Sequence, residues 1–167
     1  MRDFTDPKRD KLVYKWLMGD QTDLGDFGSP FESTSYALCL YTEGMSGQEL
    51  SLDQNAPAHS RCGRWLSTCW DVIGSFPDPK GIKYRDSYRN PDGIQKLVLK
   101  PGAAGAAKIT LSSGGALLPS LPTLPVGLPI TVQLHHTGGE CWTSTFTSAD
   151  VKQQPGDPAM LKGVARR

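Results

Sequence analysis

The sequence predicts an all-β protein, an antiparallel β-sandwich of Greek-key-like connectivity with eight or nine strands and little or no helix. Three observations carry this. Apolar and polar residues alternate with period two in several short segments, the pattern of strands with one buried face. Eighteen glycines and thirteen prolines punctuate the 167 residues at roughly ten-residue intervals, the spacing of turns in sandwiches and barrels. Long 3.6-residue periodicity is missing.

The first strand is "KLVYKWLM" (11–18), in which Leu12, Tyr14, Trp16 and Met18 alternate with Val13, Lys15 and Leu17. An aperiodic loop rich in Asp, Gly and Pro follows. "SYALCLYTE" (35–43) is the second strand, and "GMSG" turns the chain into a short third, "ELSLD" (49–53). Residues 54–80 are the least regular. "GIKYRDS" (81–87) is a strand closed by "NPDG", a Pro-Asp-Gly order suited to a tight turn. "QKLVLK" and "AKITLS" form a hairpin about "PGAAGA", and "ITVQLHH" (130–136) and "CWTSTFT" (141–147) form another about "TGGE". Between the hairpins, residues 112–129 hold four prolines about three residues apart. Proline donates no ladder hydrogen bond, so this stretch reads as an extended connector or edge cover. Trp16 and Trp142, on strand faces, are expected in the core. The domain therefore spans 1–147, and 148–167 reads as a polar C-terminal tail.

Length and charge narrow the class. A chain of this size buries roughly 70% of its unfolded surface and needs no staples to fold. Eighteen basic and seventeen acidic residues leave a net charge of +1, with no basic run along the sequence, which speaks against nucleic acid. No apolar run reaches the roughly 18 residues that cross a bilayer, so no membrane insertion is expected. "MRDFTDPKRD" lacks the apolar segment of a signal peptide.

The four cysteines, Cys39, Cys62, Cys69 and Cys141, fit neither C-x-x-C redox nor paired zinc-ligand spacing. Six residues between Cys62 and Cys69 suit a small disulfide loop, and Cys39 and Cys141 both sit inside predicted strands, which can bring two residues together across a ladder or between sheets. The expected pairs are Cys62–Cys69 and Cys39–Cys141, one of three connectivities. A chain-entropy model assigns them about 2.5 and about 4.7 kcal/mol. An even count with one local pair suits an oxidising compartment, hence an extracellular or cell-surface location.

Candidate sites are few. Asp20, Asp23 and Asp26 recur every third residue in a flexible loop and form a candidate calcium site, without the EF-hand order; Asp86 and Asp92 are a weaker second. Beyond calcium no cofactor is expected. Trp65, Trp70 and Tyr88 fall in loops and form a candidate ring platform for a sugar, against the alternative that tryptophan beside cysteine packs on a disulfide. His135 and His136 point to opposite faces of one strand, and His59 stands alone. There is no G-x-S-x-G elbow, and no catalytic residue is assigned.

In order, the segments "RDFTDPKRDKLVYKW", "DFGSP", "YALCLY", the cysteine–cysteine–tryptophan stretch, "GIKYRDSYRNPDGIQKLVLKPG", "AKITLSSGGALLP", "VQL" and "CWTSTF" cover residues 2–147. Together they resemble a recurrent all-β domain of secreted bacterial proteins to which no activity is assigned. The resemblance implies a secreted β module. Usual forms read "DFGDP", so Ser29 here stands in place of an acid and takes a ligand from any calcium reading of that loop.

The functional expectation is a non-enzymatic extracellular structural, adhesive or assembly module. Its balanced charge suits weak repetitive contacts more than electrostatic steering. The expected partners are other copies, in a homo-oligomer or filament, or cell-surface and extracellular polymers. The alternatives are a carbohydrate-binding module using the loop aromatics and a secreted hydrolase, which requires a pocket with convergent titratable groups.

Overall fold

In a computed structural model describing residues 1–62 and 67–164, fourteen strands form three antiparallel sheets. In chain order they are β1 (Arg2–Asp3), β2 (Lys11–Gly19), β3 (Tyr36–Gly44), β4 (Gly47–Ala56), β5 (Arg61–Cys62), β6 (Ser67–Thr68) and β7 (Trp70–Ser75). Then follow β8 (Asp78–Arg85), β9 (Ile94–Lys100), β10 (Ala107–Gly114), β11 (Ile130–His136), β12 (Cys141–Phe146), β13 (Val151–Gln154) and β14 (Ala159–Gly163). The larger sheet has the order β13-β14-β1-β2-β10-β9-β8-β7 and packs against β12-β11-β3-β4; β5 and β6 make a small ribbon. The only helical turns among the described residues are short 3-10 segments at Pro7–Arg9 and Gly25–Phe27.

Period-two alternation builds the core. Leu12, Tyr14 and Trp16 of β2, Ile109 and Leu111 of β10, Leu97 and Leu99 of β9 and Tyr84 of β8 line the inner face of the large sheet. Leu38 and Leu40 of β3, Leu52 of β4, Val132 and Leu134 of β11 and Trp142 of β12 meet them from the other side. Phe27 plugs one end and stacks on Trp142 at 5.2 Å between ring centroids. Of the proline-rich segment, residues 112–114 end β10 and the rest carries no strand, laying Leu118, Leu121 and Leu124 over the core as an edge cover should. Gly93, with φ +80°, closes the "NPDG" turn where a Cβ would come within 2.7 Å of the Leu118 Cα.

One polar element crosses the apolar interior. Gln54 of β4 faces inward and is fully buried. Its amide donates to the Asp92 carbonyl at 2.9 Å, and its carbonyl accepts from the Ser113 hydroxyl of β10 at 2.9 Å. Buried amides persist when both ends are satisfied, and this one ties the two sheets together.

Two expectations are corrected. Residues 148–167 are not a tail through 163: β13 and β14 form a hairpin that joins the large sheet through Arg2↔Met160 and Asp3↔Ala159. Leu161 and Val151 of this hairpin pack against the core, so amphipathic strand pattern overrides the polar composition. The irregular stretch 54–80 holds the rest of β4, β5, β6 and β7, and its fully buried Trp70 belongs to the core.

Candidate functional site: a cationic sheet face

The disulfide Cys62–Cys69 is present. Cys39 and Cys141 are free thiols, so that expected pair is corrected. Strand β11 runs between them: Cys39 lies opposite Gln133, and Cys141 opposite His135. Two strand spacings of about 4.8 Å exceed the roughly 7 Å Cα limit of a disulfide. Cys39 instead places its Sγ 3.3 Å from His135 Nε2, and burial pushes its thiol pKa up.

The aspartate loop is a folded turn. Asp26 accepts the Asp23 amide at 2.7 Å, while Thr22 Oγ1 donates to the Asp20 carbonyl at 3.1 Å. Among the described residues no three or more His, Cys, Asp or Glu are arranged to hold a metal ion. Asp86, buried, accepts the amides of Tyr88 and Asn90, and Asp92 accepts the Asn55 amide and side chain. These carboxylates shape the backbone.

Trp70 cannot serve in the expected ring platform. Trp70 is fully buried between Tyr36 and Tyr84, and its indole donates to the Pro57 carbonyl at 2.8 Å. Tyr88 is exposed. Trp65 lies outside the described residues. An apolar cavity of about 80 Å³ between the sheets is lined by side chains such as Leu12, Leu40, Val132 and Phe146.

What the fold does assemble is charge. Where the inner positions of the large sheet are apolar, the outer ones are cationic. On β2 the outward residues are Lys11, Val13, Lys15 and Leu17; on β10, Lys108, Thr110 and Ser112. On β9 they are Lys96, Val98 and Lys100, and on β8, Lys83 and Arg85. The ladder carries the pattern onward, with Arg2 opposite both Lys11 and Met160, and Lys162 opposite Lys152. Ten of the eighteen lysines and arginines thus share one face spanning seven adjacent strands.

Only Asp71 answers them among the described residues of these strands' outer face. It meets Lys83 at 2.8 Å, and that hydrogen bond holds its carboxyl below the ordinary range. The face therefore carries a formal +9 on a chain of net +1, leaving −8 for the remainder. The charge is balanced in sum, at +1, and segregated in space.

Register sharpens the observation. Lys108 lies directly opposite Lys100, Lys96 opposite Arg85, Arg2 opposite Lys11 and Lys152 opposite Lys162. Each is a like-charge cross-strand pair, a placement that disfavours the sheet by about 0.2–1 kcal/mol. The described residues contain two ion pairs, Lys83–Asp71 and Lys80–Asp78; neither falls within these four contacts, and only Arg85 feels an acid, the Asp71 carboxylate nearby.

Fold and face together define a β-sandwich with one polycationic sheet surface. In comparisons with known proteins, no family model matches the chain, and no curated protein or solved structure matches it. The disulfide is compatible with an oxidising compartment, and no helix among the described residues is long and apolar enough to cross a membrane.

Proposed function

We propose that this protein is a non-enzymatic extracellular adhesion module that holds polyanions on the outer face of its large sheet. The observation that supports it is the set of four like-charge cross-strand pairs, of which only Lys96–Arg85 has an acid within electrostatic reach, Asp71 beside Arg85. Such a pattern weakens the free protein, and a bound anion removes the penalty by lying between the paired cations. Lysine placed to block edge-to-edge aggregation belongs on edge strands, whereas β1, β2, β9, β10 and β14 are interior. The disulfide fits an extracellular location.

The test compares charge-reversal pairs by calorimetric titration with dextran sulfate. Lys96→Glu with Lys100→Glu alters the face; Lys8→Glu with Lys80→Glu makes the same change in net charge elsewhere. Loss of binding confined to the first pair is expected. Equal loss in both would reduce the effect to net charge and overturn the reading.

A second reading, self-assembly, draws on the −8 remainder of the chain, which complements the cationic face of a neighbouring copy. Light scattering that rises at low salt and is abolished by the first pair alone supports it; a monomer at every ionic strength removes it.

A further inference from the structure

Resting on the polyanion reading, we infer that the ligand is an extended acidic polysaccharide laid across the strands, bearing sulfate or carboxylate groups. Strand register fixes where the cations stand. Arg2 and Lys11 stand opposite each other on β1 and β2, and Lys152 and Lys162 form an opposed pair on β13 and β14, two residues along from Met160, the β14 partner of Arg2. On β10 the partner of Lys11 is Gly114; one residue pair along, Val13 faces Ser112, which leads to the opposed Lys96 and Arg85 of β9 and β8. Six of these seven consecutive strands thus place a cation in a band two residue pairs wide, along a track of roughly 29 Å at the strand spacing of about 4.8 Å. One residue pair further along, Lys15 and Lys83 share a row through Thr110 and Val98, and the opposed Lys108 and Lys100 stand in the row after that.

Three features separate this ligand from other polyanions. Successive strands turn by 20–25°, so the seven strands rotate by about 120–150° in total. A planar bilayer touches only a few strands of such a surface, whereas a linear chain crosses them all. Single-stranded nucleic acid is gripped by aromatic rings that stack on bases. Yet Tyr14, Trp16, Tyr84 and Trp70 all turn into the core, and the outward positions of β2, β8, β9 and β10 carry no ring. In the middle of the track the floor is the short side chains Thr110, Ser112 and Val98; the Thr110 and Ser112 hydroxyls meet sugar hydroxyls while lysines reach the acid groups. Eight of the ten cations are lysine, a rotatable point charge that does not demand the planar two-oxygen geometry arginine prefers.

The experiment measures affinity of the full chain at physiological salt for three probes: heparin oligosaccharide, oligo-dT of equal charge, and phosphatidylserine-rich vesicles. Heparin is expected to bind at least about tenfold more tightly than oligo-dT, with no sedimentation on vesicles. Its affinity is expected to fall about tenfold in Lys11→Ser with Lys96→Ser, while melting temperature is kept or raised. Equal or tighter binding of oligo-dT, or capture by vesicles, overturns the polysaccharide assignment and leaves the polyanion reading standing. No binding of any probe even at low salt overturns both. Unchanged heparin affinity in the double variant overturns the track across the strands.

Discussion

Lys100→Glu separates the functional reading from a purely structural one, because it pushes stability and binding in opposite directions. Lys100 lies directly opposite Lys108 on the solvent face and is exposed. The Cβ atoms of such a pair are about 5 Å apart. Two unit charges at that distance interact by about 0.8 kcal/mol in water, and physiological salt, with a Debye length of about 8 Å, roughly halves this. Reversing one sign turns about 0.4 kcal/mol of repulsion into a similar attraction, a change of about 0.8 kcal/mol. For a domain of this size that raises the melting temperature by about 2–3 °C. The introduced carboxylate removes one cation from the face and adds one anion. At about 1 kcal/mol per charge beside a polyanion, dextran sulfate affinity falls about 30-fold. The assay is differential scanning fluorimetry with parallel titration, on Lys100→Glu, Lys108→Glu and the double variant. Because the double variant restores like charges, its melting temperature should return to the starting value while binding weakens further. High salt should erase the melting differences. A Lys100→Glu protein that melts lower, or binds unchanged, would refute the argument that the face holds unrelieved repulsion.

Other outcomes follow from the interior and the thiols. Alkylation without reductant should label two of four cysteines by intact mass, Cys141 quickly and buried Cys39 slowly at neutral pH because its thiol pKa is raised; four labelled thiols would deny the Cys62–Cys69 bridge. Gln54→Ala leaves the Ser113 hydroxyl and Asp92 carbonyl without their partner and should destabilise by about 2–4 kcal/mol in urea; a loss under 1 kcal/mol would show, by this scale, that the crossing amide carries little. Burial lifts the Tyr84 phenol to about 12. A raised pKa favours the protonated folded form, so this stability is complete below pH 10 and is lost as pH climbs from 10 through 12. Alkaline unfolding that begins well below pH 9 would contradict it.

Much of the fold was legible because period two is a local property. "KLVYKWLM", "SYALCLYTE", "AKITLS" and "ITVQLHH" coincide with β2, β3, β10 and β11 to within one or two residues at each end. The hairpins β9–β10 and β11–β12 are paired as their turns imply. Elements missed were those whose order comes from distant partners. β1 has two residues and exists because β2 and β14 flank it. β13 and β14 read as polar tail because only Val151 and Leu161 reach the core from them. Cysteine spacing located the local bridge, but Cys39 and Cys141 needed the sheet order: a single intervening strand is invisible in the sequence and decisive in space.

The cationic face was present in the sequence in a form that inspection for basic runs misses. "KLVYK", "KYR" and "KLVLK" each place cations an even number of residues apart, which in a strand means one side. Their apolar partners at odd offsets identify that side as the outer one. Reading the sign of charge along the polar half of each alternation would have found the segments, because acids are absent from those half-patterns. It would not have found the like-charge pairs, since register between β9 and β10 depends on a bulge at Ser112/Ser113, and Arg2 meets Lys11 only through the closing of the amino-terminal strand. Chance alone does not keep acids off the face: seventeen acidic residues were available to neutralise ten cations, and one stands among them. A sheet that needed only stability would exchange Lys100 or Lys96 for a neutral residue or an acid at no packing cost, because both point into water. Retaining positive charge at both members of four opposed pairs makes sense when something negative lies over them.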